Sequence, residues 1–257
     1  MVCRPSSRER ELLYATRWRK RASGVCRSAT LGSVTTAPPP PPLRERKKQR
    51  TRQALIDAAL ALFAARGFGG VTLDELCDEV EVSKRTFFRY FGGKEEVAMA
   101  PLHDLWRAFL EELETAPADG RPLLELMEAT LLAALDRVAD EAWAGRAALS
   151  FRLSQETSSM DAHNLHFCES TLRSVVAVLH RRLDLPDDPR TRLAGDLLVA
   201  AWRLAVEGWA VTAAGAPSVT DLAARVHDAV AALPGSLTLT ARPRPGVTGS
   251  GPPGKAG

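Results

Sequence analysis

The stretch VTLDELCDEVEVSKRTFFRYFGGK, residues 71–94, decides the fold of this chain. In its first half Leu73, Leu76, Cys77 and Val80 recur at i, i+3, i+4 and i+7, so one side of a helix is apolar while Asp74, Glu75, Asp78 and Glu79 face water. Thr72, with Glu75 three residues later, reads as a capping box, in which each side chain takes up a backbone N–H left over at the helix start. Ser83 is a second N-cap, so a new helix begins after a turn of about three residues, the connection length of a helix-turn-helix. Phe87 and Phe91 share a face of this second helix and are expected to pack on Leu76 and Val80. Lys84, Arg85, Thr86, Phe88 and Arg89 are left pointing outward. Cations at the start of such a helix suit the major groove of DNA, because Arg and Lys can donate to the O6 and N7 of guanine. A merely solvated basic face would explain the charges, but not the two caps, the turn length and the exposed aromatic together.

Upstream, LRERKKQRTRQ, residues 43–53, is basic and runs into a helix whose apolar face is Ile56, Ala59, Leu60 and Phe63. That helix is expected to support the helix-turn-helix from behind, with Lys48, Arg50 and Arg52 as candidate phosphate contacts. GFGG at 67–70 lacks the GxxxxGK pattern of a phosphate-binding loop and reads as a C-cap and turn. Downstream, Gly92 and Gly93 break the second helix, and Lys94 opens a further one that carries Leu102, Leu105, Trp106, Phe109 and Leu113.

The segment RTRQALIDAALALFAARGFGGVTLDELCDEVEVSKRTFFRYFGGK resembles the N-terminal DNA-binding domain of the TetR family of bacterial one-component transcriptional regulators. The likeness rests on the Arg-Thr-Arg opening, the Ala-Ala run before Phe63, the Gly67-Phe68 turn, the Thr72 cap, and Ser83 through Phe91 with Lys94 beyond. It implies base contacts from Lys84 and Arg85. Backbone positioning is expected from Ser83, Thr86, Phe88, Arg89, Tyr90 and Lys94, with Thr72 and Arg50 in support. It also implies that the tilt of the helix from Lys94 conveys the ligand state to the DNA heads, and that the last two long helices pair with their symmetry mates as a four-helix bundle. There are departures. Glu81 stands where the family most often has glycine, so the turn either avoids positive φ or holds a strained residue. Cys77 replaces the usual alanine. Phe88 replaces a tyrosine whose hydroxyl can reach phosphate, leaving apolar contact with a thymine methyl or a sugar.

The net charge of +3 conceals an asymmetry. Residues 1–100 hold 19 Lys and Arg against 11 Asp and Glu, whereas residues 101–257 hold 15 against 20. A basic front and an acidic rear suit a nucleic-acid module joined to a domain that must stay off DNA. The four cysteines are scattered and form no CxxC pair, so neither a disulfide framework nor a zinc site is expected. With no signal-peptide pattern and no run of 18 apolar residues, the chain reads as cytoplasmic with no membrane partner.

The expected organisation is all-α, a three-helix DNA-binding head followed by a larger helical domain for ligand binding and dimerisation. Residues 1–43 read as a basic, proline-rich disordered extension, 44–94 as the head (motif 72–91), 95–234 as the helical domain, and 235–257 as a disordered tail. Helices are expected at about 94–113, 122–138, 146–153, 162–183, 190–213 and 219–233.

No GxSxG elbow, HExxH helix or dinucleotide fingerprint occurs, so no catalytic residues and no cofactor are assigned. His163, His166 and Cys168 do not share a ligating face, and no metal site is assigned. Candidate walls of an effector cavity are Trp106, Phe109, Met127, Leu131, Phe151, Phe167 and Trp202, with Arg152 for an anionic group. RAALSFRL (146–153) and LDLPDDPRTRLAGDLLVAAWR (183–203) are similar to the mycofactocin-type TetR subgroup. That likeness makes an acyl-CoA-like amphiphile the first expectation for the effector and a hydrophobic drug or metabolite the second. The sequence therefore reads as a homodimeric, ligand-relieved repressor on a palindromic operator in double-stranded DNA. An activator would share every residue named. A helical enzyme or scaffold with a vestigial head is the alternative of a different class.

Overall fold

The computed structural model describes residues 42–140, 142–212 and 217–241. The basic extension, apart from its last two residues, and the end of the expected tail, from 242 onward, lie outside the described residues. Among the described residues all regular structure is helical: α1 (Leu43–Arg66), α2 (Leu73–Glu79), α3 (Lys84–Phe87), α4 (Lys94–Leu113), α5 (Leu123–Val138), α6 (Trp143–Glu156), α7 (Ser158–Arg182), α8 (Arg190–Thr212) and α9 (Val219–Ser236).

In the head, α1 turns Leu55, Ile56, Ala59, Leu60 and Phe63 inward and stops at Gly67, whose φ of 75° lets its N–H close back on the Phe63 carbonyl. Thr72 and Glu75 form the full capping box. The Glu75 carboxyl, accepting from the Thr72 N–H and then from Arg66, is held down at about 2. The end of α2 resolves the question posed by Glu81. Its N–H bonds the Asp78 carbonyl at 3.1 Å and the Val82 N–H reaches Cys77 at 2.9 Å, a Schellman closure that needs a left-handed residue between them. Glu81 supplies it at φ 52°. Ser83 then caps α3 by accepting from the Thr86 N–H at 3.1 Å. Regular α-helix ends at Phe87, but helical bonds continue, tightened, as far as Phe91. Phe87 and Phe91 close the head core with Phe63, Leu76 and Cys77.

Beyond the head, α4 is the axis, packing against α1, α5, α6 and α7, while α8 and α9 lie against each other on the far side. Its ends are tied. Glu96 accepts the Gly92 N–H at 2.7 Å, and Arg182 of α7 donates to the carbonyls of Leu113 and Ala116, taking up acceptors that a helix end leaves over. Pro101 interrupts the ladder in the middle of α4. There α6 grips it: Trp143 Nε1 donates to the Pro101 carbonyl at 3.1 Å and Ser150 Oγ to the Ala98 carbonyl at 2.6 Å, both buried. This tertiary anchor explains why α6 starts at Trp143, three residues before the periodicity alone suggests. At the end of α9 the helix runs through Pro234 to Ser236, because a proline in the last turn forfeits only one bond.

A left-handed residue with a side chain costs about 1–2 kcal/mol, partly offset by the larger unfolded freedom of glycine. Glu81→Gly is therefore expected to raise stability by about 0.5–1 kcal/mol in urea unfolding, and Glu81→Val to lower it. A Glu81→Gly protein no more stable than its parent would mean that the turn holds no such strain.

Candidate nucleic-acid interface and internal cavities

The outer face of the helix-turn-helix carries Lys84, Arg85, Phe88 and Arg89, all exposed, with Thr86 and Tyr90 half-buried beside them. Phe88 is 56% exposed and stands edge-on to buried Phe87, an unusual place for a large apolar ring unless a partner covers it. The cations are not equivalent. Lys84 Nζ pairs with Asp74 of α2 at 2.7 Å, and this contact raises its pKa. Arg89 lies over the Tyr90 ring at 5.1 Å and donates to its hydroxyl at 3.2 Å. Arg85 and Arg50 are exposed and find no side-chain partner among the described residues. Both hydroxyls of the caps are occupied: Thr72 Oγ1 by Glu75, and Ser83 Oγ by the Thr86 N–H and hydroxyl.

Two cations expected at phosphates make internal contacts. Lys94 donates to the carbonyls of Phe68 at 3.1 Å and Val71 at 2.7 Å, over the Phe68 ring. It thus fastens the turn before α2 to the start of α4. Arg52 lays its guanidinium over Phe91 and meets Asp104 of α4 through both arms, at 2.7 and 2.8 Å.

From Asp104 a chain of contacts leads into the body. Its Oδ1 also accepts from Arg107 at 2.9 Å, Arg107 reaches Glu96 at 3.3 Å, and the Arg107 guanidinium lies over the Phe167 ring of α7. Phe167 in turn stacks on His103, centroids 3.6 Å apart and planes 10° from parallel. His103 is 1% exposed, and neither ring nitrogen has a hydrogen-bond partner. Burial first, then the nearby His163 and Arg107, push it down to about 3; Asn164 pulls the other way without meeting either nitrogen in hydrogen-bonding geometry. The ring is therefore neutral, and its unsatisfied groups cost on the order of 1–3 kcal/mol each. Sequence reading missed His103, Asp104 and Arg107; a histidine within an otherwise apolar helix face was the available signal.

Next to this stack a small void of about 10 Å³, the space of one water, lies between α4, α7 and α8. Trp106 and Phe109 line it, with Thr171, Leu172 and Leu198 among the others. Gly195 lets Leu172 seat against α8, since a Cβ there would collide with Leu172 Cδ1. The remaining expected wall residues are not brought to it. Met127 and Leu131 are sealed in the core, Trp202 packs edge-on to Trp106, and Phe151 is half-buried on α6. Arg152 is exposed on α6 and does not line this void. A second, open groove of about 990 Å³ runs between the end of α4, α5 and α9, with Glu112, Arg121 and Glu125 on its walls and the Glu128–His227 pair at 2.8 Å.

Residues 55–100 match the family model described as bacterial regulatory proteins, tetR family. Over 183 residues the chain is 36% identical to the HTH-type transcriptional regulator TcmR of Streptomyces glaucescens, a match covering 69% of this chain and 80% of that one. The chain belongs to the TetR family. It is also similar to the HTH-type transcriptional regulator SrpR of Pseudomonas putida, 37% identical over 90 residues, 35% of this chain and 40% of that protein. Among solved structures it is similar to a TetR-family repressor, FadR of Thermus thermophilus in complex with lauroyl-CoA, at 23% identity and a TM-score of 0.46 over 76% of this chain and 99% of that one. These relatives are transcriptional regulators, the class expected from the helix-turn-helix. Among the described residues no helix is long and apolar enough to cross a membrane, and no group of three or more His, Cys, Asp or Glu could hold a metal ion.

If Lys94 is an internal fastener, Lys94→Met should lower stability by about 1–3 kcal/mol by leaving two carbonyls without their donor. Thermal or urea unfolding measures this. Unchanged stability would return the lysine to a purely surface role.

Proposed function

We propose that this TetR-family chain is a homodimeric repressor that places the α3 segment, Ser83 to Phe91, into the major grooves of a palindromic operator and lets go when a small molecule enters its body. The observation that carries the reading is the exposed quartet Lys84, Arg85, Phe88 and Arg89 on a short helix fixed at both ends, by Ser83 and by buried Phe87 and Phe91. Arg85 and the bare ring of Phe88 have no internal use, Lys84 and Arg89 are held only by exposed contacts, and all four are groups that read base edges, thymine methyls and phosphates. Arg85 is the strongest candidate for base recognition because it is free of internal pairing; Lys84 would exchange Asp74 for DNA on binding. Thr86, Arg89, Tyr90 and Arg50 would position the backbone. Lys94 and Thr72 would help from behind by holding the turn and the start of α2.

Dimerisation is supported by α8. Leu193, Leu204 and Val211 are all more than half exposed, and their spacings of 11 and 7 residues put them within about 20° of one line along the helix. An exposed apolar stripe of that length suits a two-fold partner, and two-fold symmetry in turn requires two operator half-sites about one helical turn, or a multiple, apart. The ligand reading is supported by the position of the void against α4, the helix that also carries the head. The protein is taken to act by binding alone, without catalysis.

Selection from random duplex DNA by the purified protein should enrich a palindrome, with affinity falling steeply as salt rises. Against that operator Arg85→Ala should lose about 1–3 kcal/mol and relax choice at one base position. Unaltered affinity and preference would remove Arg85 from recognition, and failure to enrich any palindrome would contradict the repressor reading.

A further inference from the structure

His103 is a polar group built into a place where neither ring nitrogen meets a partner in hydrogen-bonding geometry, although the Asn164 side chain lies close by. It sits on α4 one turn before Trp106, is buried from solvent, and keeps both ring nitrogens unpaired. One face of the imidazole is covered by Phe167 in near-parallel contact, and His163 lies 5.5 Å away, ring to ring. The void begins on the same seam, since Trp106 on α4 and Cys168 and Thr171 on α7 are among its walls. A packing position would take leucine or phenylalanine at lower cost. A neutral imidazole offers one donor and one acceptor, and its stacked face, now held by Phe167, accepts planar rings.

We propose that His103 is the recognition group of the effector pocket, and that the effector is an uncharged, planar aromatic compound bearing a hydroxyl or carbonyl group. The compound takes the place of Phe167 against the imidazole, gives His103 its missing hydrogen bond, and widens the void by moving Leu172 out of its seat at Gly195. This inference rests on the reading of the chain as an effector-released regulator, and it deepens that reading by naming the ligand class. Charge argues against an anionic thioester at this position. The ring is neutral, the Arg107 guanidinium already meets Asp104 and Glu96, and the walls of the void are apolar. The site also explains how a ligand would be felt. The Arg107 guanidinium also lies over the Phe167 ring, so displacing the ring removes one support of the Arg107–Asp104–Arg52 chain that leads to the head.

The test compares 2-naphthol and 9-fluorenone with naphthalene, which has the rings without the polar group, and with lauroyl-CoA, by quenching of tryptophan fluorescence in the full-length protein. The wild-type protein should prefer 2-naphthol or 9-fluorenone over naphthalene by about tenfold or more, as sites with an unanswered polar group do. In His103→Phe, which keeps the stack and removes the nitrogens, that ratio should fall to about one; His103→Gln, which keeps a donor and an acceptor, should restore part of it. Should these variants fold poorly, the wild-type protein still decides, because the imidazole ¹⁵N resonances of His103 should shift with 2-naphthol and stay put with lauroyl-CoA. Equal binding of naphthalene and its polar analogues, or a preference that survives in His103→Phe, would overturn the proposal. Operator binding measured on the same samples separates the two levels. A protein released from its operator by lauroyl-CoA and indifferent to 2-naphthol and 9-fluorenone sinks the ligand class and spares the repressor, whereas ligand preference at His103 in a protein without an operator sinks only the repressor.

Discussion

One carboxylate, Asp104, receives both arms of Arg52 from the head and one arm of Arg107 from its own helix. Much of the molecule's design depends on this meeting point. The two helices that present the outer face are seven and four residues long, far too short to persist alone, so their orientation is set by what lies under them. Phe91 ends the second of them, and Arg52 lies over its ring while holding Asp104. The clasp is about two-thirds buried on both sides, with the geometry in which guanidinium and carboxylate match best. Removing one partner strands the other, so the contact acts as a fixed joint more than as a reservoir of stability.

Along α4 the joint is continuous with the region of His103 and the void. Pro101 weakens the helix in its middle, α6 holds it there through Trp143 and Ser150, and His103 and Asp104 follow directly. Adjacent residues on one helix thus face opposite tasks, His103 toward α7 and Asp104 toward the head. An element with a missing backbone bond, a buried imidazole without partners and a small void beside it gives up stability at one place.

The head was legible in the sequence because its determinants are local. Thr72 and Glu75 are three residues apart, Ser83 bonds the N–H of Thr86, and the apolar faces of α1 and α2 repeat within single helices. The sign of φ at Glu81 was not, since a Schellman closure and a looser turn read alike until the Val82 N–H is seen to reach Cys77. Contacts between distant residues were the least legible. Arg52 looks like a phosphate ligand beside Lys48 and Arg50, and only the fold reveals that its partner lies 52 residues on. The internal contacts of Lys94 were hidden for the same reason, with its acceptors 23 and 26 residues back. In the body, aromatic content does not say which rings line a void: Trp106 and Phe109 do, whereas Met127 and Leu131 were drawn into the core by the packing of α5 on α4.

The claim that Asp104 fixes the head can be set directly against plain electrostatics by measuring operator affinity of Asp104→Asn at fixed salt. Removing a negative charge should strengthen binding to DNA if charge alone mattered. The joint described here predicts weaker binding, by about tenfold or ~1.4 kcal/mol, because Arg52 loses its anchor and α3 its fixed orientation. An Asp104→Asn protein that binds its operator as tightly as the parent, or more tightly, would contradict the account.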